Sequence, residues 1–141
     1  KYITIKLNSD ADKIFGLDKV DMKKKIYVVE GPIDSLFLDN CIAVAGADFN
    51  NVQGDLTVIY DNEPRNKEIV KQIEKTISQG RSVVLWPDSM KEKDINDMIL
   101  SGYTKLQIQK IIEDNTFEGV SAKLRFTGWK KINERSVSKT I

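Results

Sequence analysis

The chain has 141 residues, 22 of them basic and 21 acidic, for a formal net charge of +1. Hydrophobic residues at 40% and charged residues at 30% describe an ordinary globular domain, long enough for one core and short for two, and the near-cancelled charge names no partner. There is no histidine and a single cysteine, Cys41, which excludes Ser-His-Asp and Cys-His catalysis, the usual zinc sites and any intrachain disulfide.

Chemistry in such a chain rests on carboxylates, amines, hydroxyls or bound hard metal ions. No apolar run approaches the roughly 20 residues that span a bilayer, and the first residues alternate instead of forming a signal-peptide core. Cys41, within NCIAVAG, reads as a small buried side chain of a reducing compartment, so a cytoplasmic protein with no membrane partner is expected. Lys1 stands where an initiator Met would be expected, as in an excised piece of a longer chain.

In chain order, YITIKL (2–7) alternates as a half-buried strand and NSDADK follows as a turn. The run ending in IYVVE, closed by Glu30, has the continuous apolar character of a strand covered on both faces. Pro32 suits the first turn of a helix, with Ile33, Leu36 and Phe37 as its apolar stripe. CIAVAG (41–46) and DLTVIYD (55–61) are further short strands, the second ending on an acid.

From Asn66 the period changes: Ile69, Val70, Ile73 and Ile77 make one helical stripe, stopped by Gly80. SVVLWP (82–87) is the fourth buried strand, followed by a loop and a helix beginning near Asp94. Thr104 and Gln107 form a capping box ahead of a helix through about Glu113, and VSAKLRFTGWKKI adds a basic amphipathic helix. Strands alternating with helices predict an α/β fold, a parallel sheet with helices on both faces.

In such sheets ligands bind at the carboxyl ends of the strands, and three acidic clusters fall there: Glu30 with Asp34, Asp61 with Glu63, and Asp94 with Asn96 and Asp97. Singly each has a plain structural reading, as helix cap, solvated helix residue or polar turn. Together, like charges converging on one sheet edge require cations, and oxygen-only ligands favour Mg2+ or Mn2+ and phosphoryl-transfer chemistry.

At VVEGPID, IYDNE and KDIND the chain resembles the TOPRIM domain of bacterial-type DNA primases, most closely those of T-even-like tailed phages. The resemblance implies a Rossmann-like, mainly parallel four-stranded sheet flanked by helices over residues 25–103. It also implies the end of an amino-terminal primase-core subdomain over 1–24, including FGLDKV, and a helical extension over 104–141. Glu30 takes the place of the family's strand-end Glu, Asp61 and Glu63 that of its D-x-D pair, and Asp94 the first acid of its last motif. Two departures stand out: Glu63 replaces an Asp, and Asn96 stands where a second acid is expected.

The activity implied is RNA primer synthesis on single-stranded DNA from nucleoside triphosphates, in the host cytoplasm, with a replicative helicase as partner. Glu30, Asp61 and Glu63 would be catalytic, and Glu30, Asp34, Asp61, Glu63 and Asp94 would hold Mg2+ or Mn2+. A TOPRIM nuclease, or a non-catalytic module binding nucleic acid or a partner, remains the alternative. Gly31 would let a phosphate approach the strand end. Arg65 and Lys67 read either as phosphate contacts or as a solvated first turn. Lys123, Arg125, Lys130 and Lys131 read either as a nucleic-acid surface stacked with Phe126 and Trp129, or as solvated bases around two rings packed on the core.

Overall fold

The computed structural model describes residues 14–140 other than 48 and 51. The strand expected over 2–7 and the turn after it lie outside these residues. Five short strands, β1 (Ile26–Val29), β2 (Cys41–Ala43), β3 (Leu56–Ile59), β4 (Ser82–Val84) and β5 (Thr116–Phe117), form one mainly parallel sheet in the order β2-β1-β3-β4-β5. Helices α1 (Pro32–Ser35), α2 (Lys67–Ser78), α3 (Ile95–Leu100), α4 (Lys105–Asp114) and α5 (Gly119–Thr140) are interspersed with the strands, so the fold is α/β.

The sheet has one strand more than the four expected. β5 is two residues long and half-buried, and it runs antiparallel to β4 in the register Val83↔Phe117 and Val84↔Thr116. Two residues cannot express an alternating pattern, so nothing local distinguishes this segment from a loop. It also means that residues 104–141 are not wholly helical. The chain divides into two compact units, one ending at Thr57 and the other beginning at Val58.

In the first unit, all four residues of β1 are buried, as expected for a strand covered on both faces. β2 lies parallel to it in the register Tyr27↔Cys41, Val28↔Ile42 and Val29↔Ala43. On its other side β2 meets Phe15, whose N–H donates to Ala43 O at 2.8 Å and whose carbonyl accepts from Ala43 N at 3.0 Å. Gly16 then turns the chain at φ 86°, where a Cβ would stand 3.1 Å from the Cys41 carbonyl, so both conformation and space require glycine.

The helix after Pro32 departs from expectation. α1 has four residues, and the Leu36, Phe37 and Leu38 amides donate three residues back, which tightens the end of the turn. Ile33 and Leu36 are 59% and 63% exposed, while Ser35 and Leu38 are buried. The stripe at Ile33, Leu36 and Phe37 is therefore not the face turned inward. A helix this short is placed by its flanking strands and not by its own periodicity.

In the second unit the expected elements appear with their signals in place. Asn66 caps α2, its Oδ1 accepting from the amides of Glu68 at 3.0 Å and Ile69 at 3.3 Å. Gly80 ends the helix region at φ 78° with open space around it, so only the left-handed backbone requires glycine there. Thr104 and Gln107 form the reciprocal capping box of α4.

Ile73 and Ile77 of α2, Val83 of β4, Leu85, and Ala122, Phe126 and Trp129 of α5 make one buried cluster. Ala122, Phe126 and Trp129 recur at the spacing of one helical face, and Trp129 is 1% exposed. Of the two readings for these rings, core packing is the one realised. The residues on this side are thus fixed by a rigid apolar layer.

Candidate metal centre

Glu30 directly follows β1, exposed to solvent, and its carbonyl accepts from Ala45 N at 2.9 Å. Gly31 has φ −97° and ψ 135°, a conformation open to any residue, so no turn demands glycine here. A Cβ at this position would meet Asp34 Oδ2 at 3.6 Å, an ordinary van der Waals contact, so neither the backbone nor the space around it requires glycine here. Asp34 lies in the first turn of α1, half-buried. Its charge, after burial, helps push the Cys41 thiol up to about 12. Cys41 is half-buried instead of fully enclosed, but its thiol stays protonated at neutral pH.

In the second unit, the chain leaving β3 makes a three-residue turn, Glu63 N–H donating to Asp61 O at 2.9 Å. Glu63 directs its carboxylate to two partners: Oε2 accepts from Asn66 Nδ2 at 3.2 Å, and Oε1 faces Lys93 Nζ at 3.5 Å. Lys93, on the surface, has its pKa raised first by Glu63, through charge and hydrogen bond, and then by Asp61 and Asp94. Asp94 caps α3, its Oδ1 accepting from Asp97 N at 2.8 Å. Its plain structural reading is thus realised with one oxygen, and the carboxylate keeps a second.

Within the second unit, Asp61 and Asp94 each offer a carboxylate oxygen, and the two oxygens lie within 4.8 Å of each other. Ligands of one octahedral ion bound at ~2.1 Å stand roughly 3 to 4.2 Å apart, so small side-chain shifts would close this group on a single hard cation. An all-oxygen, all-anionic donor set fits Mg2+ or Mn2+ and gives no purchase to a soft metal. Glu63, in the same unit, is not a member of this group.

Of the basic residues singled out in the sequence, Arg65, Lys67, Lys123 and Lys131 are exposed. Arg125 is committed to structure, donating to Trp86 O at 3.3 Å and pairing with Asp88 at 3.8 Å. Lys130 lies 4.8 Å over the Phe126 ring. With both aromatic rings buried, the stacking platform for bases is excluded.

Asn62, between the two acids of IYDNE, carried no signal in the sequence beyond its position. Its backbone N–H donates to Lys93 O at 2.6 Å, and its Nδ2 donates to Met90 O at 2.8 Å and Glu92 O at 3.2 Å. Its Oδ1 accepts from the Trp129 indole at 3.3 Å.

No family model matches the chain. Among proteins of established identity, it is 40% identical over 143 residues to a DNA primase of Enterobacteria phage T4, an overlap of 94% of this chain and 40% of that protein. The chain thus spans well under half the length of the relative it matches.

Proposed function

We propose that this chain is part of the catalytic core of a phage-type DNA primase, with residues 25–103 as its TOPRIM domain, residues 1–24 as the end of the preceding subdomain, and residues 104–141 as an extension. The observation that carries the reading is the meeting of Asp61 and Asp94 in the second unit, acids from two of the three motifs. The likeness to a DNA primase supports it from an independent direction.

The reaction would be nucleotidyl transfer from a nucleoside triphosphate to the 3′ hydroxyl of an RNA primer on single-stranded DNA. As the resemblance implies, Glu30, Asp34, Asp61, Glu63 and Asp94 would hold Mg2+ or Mn2+. Bound there, the ion would lower the pKa of the attacking hydroxyl and neutralise charge on the departing pyrophosphate. Glu30, exposed at the end of β1, is free to orient or deprotonate the hydroxyl. Gly31, without a side chain, would let a phosphate approach the strand end. Arg65, Lys67, Lys123 and Lys131 offer exposed cations to triphosphate or template backbone, while Arg125 and Lys130 serve mainly their own unit. Such a protein would work in the host cytoplasm beside a replicative helicase.

A chimaera in which this chain replaces the matching segment of the T4 primase tests the proposal. Template-dependent RNA primers that require Mg2+ and vanish with Asp61→Asn are expected. Cleavage of labelled single-stranded DNA without any primer product would overturn it in favour of a nuclease.

A further inference from the structure

Asn62 uses both groups of its side-chain amide and its backbone N–H. The two Nδ2 hydrogens go to the carbonyls of Met90 and Glu92, the Oδ1 takes the Trp129 indole N–H, and the backbone N–H goes to the Lys93 carbonyl. These partners also fix which way the amide faces, because carbonyls must meet the NH2 group and the indole must meet the oxygen. Trp129 is anchored in the apolar cluster with Phe126, Ile73 and Val83. Asn62 is therefore a rigid link from the core to the loop ending at Lys93, the residue before Asp94. Asp61, its neighbour on the other side, is joined to the same frame by the turn closed between Glu63 and Asp61.

We propose that Asn62 is a positioning residue for the candidate metal centre, setting the separation of Asp61 and Asp94 by tying their two segments to the Trp129 indole. This rests on the metal-binding reading above and adds to it the residue that preorganises two of the ligands. Partners behind a ligand shell govern affinity because an ion gains nothing from carboxylates that must first be brought together. The role falls to Asn and to no isostere: Asp would set a carboxylate oxygen, an acceptor, against two carbonyls, and Leu would leave those carbonyls and the indole N–H without their partner.

The test is Mn2+ affinity of the 141-residue chain, read from the free-ion EPR signal, with thermal unfolding to establish folding at the working temperature. Asn62→Ala is expected to weaken Mn2+ binding about tenfold, the lower end of what loss of such partners causes. Asn62→Asp is expected to weaken it as well, although its added negative charge alone would tighten binding. Trp129→Phe keeps a ring in the core and removes the indole donor. It should weaken binding a few-fold, and by no further amount when Asn62 is already Ala, and it carries the test if Asn62→Ala does not fold. Folded variants that bind Mn2+ as the unsubstituted chain does would overturn the inference alone. An unsubstituted chain that binds no Mn2+ would overturn the metal reading and this inference with it.

Discussion

Glu63 illustrates how a single methylene redirects a side chain. Where the TOPRIM pattern that the sequence resembles has Asp, the longer acid reaches Asn66 and Lys93 and stands outside the pair formed by Asp61 and Asp94. Asp61→Asn should therefore reduce Mn2+ affinity at least tenfold, and Glu63→Gln by less, a ranking that titration followed by Trp86 fluorescence measures. Lys93 gives a pH dependence whose sign follows from its raised pKa. Its contribution to stability is complete below the ordinary lysine value and is lost as pH rises through the folded value. The difference in melting temperature between the native chain and Lys93→Gln should thus vanish in strong alkali, and shrink in 1 M salt because the amine is exposed. Cys41, with its thiol pushed up to about 12, should react with iodoacetamide at pH 8 far more slowly in the native chain than after denaturation.

The helices differ in what holds them. α2 begins at an Asn66 cap and ends at Gly80, and its inner face joins the aromatic cluster of α5. Asn66→Ala should cost about 1 kcal/mol, and Gly80→Ala a similar amount through its left-handed backbone. Trp129→Ala should cost roughly 3 to 5 kcal/mol, since it opens a cavity in a fully enclosed layer and also leaves Asn62 without its indole partner. Urea unfolding of the three variants checks the order. α2 was legible in the sequence because twelve residues give its apolar stripe more than three turns to repeat. α1 was not, because four residues give no repeat and its orientation comes from the strands around it.

For the molecule as a whole, the consequence concerns independence. The chain matches 40% of the length of its primase relative, so the proposed reaction would draw on regions beyond these residues. Weak or absent primer synthesis by the 141-residue chain alone is expected, even where Mn2+ binds, and robust template-dependent synthesis in a labelled-nucleotide assay would contradict this. Among the described residues no helix is long and apolar enough to cross a membrane.

The sequence alone determined the α/β class, the buried strands, the helix that begins at Asn66, the caps at Asp94 and Thr104, and the three acidic clusters at or beyond strand ends. These are local properties, written in the period of apolar residues and in which side chain can satisfy a neighbouring amide. The tertiary structure alone decided which carboxylates meet, that β5 joins the sheet, that Arg125 is held by Asp88, and that Asn62 joins Met90 and Trp129 across 28 and 67 positions. Such contacts leave no period in the chain, because they depend on where the strands bring distant segments together. The acid at the end of β1 could be read from the sequence; the company kept by the acids could not.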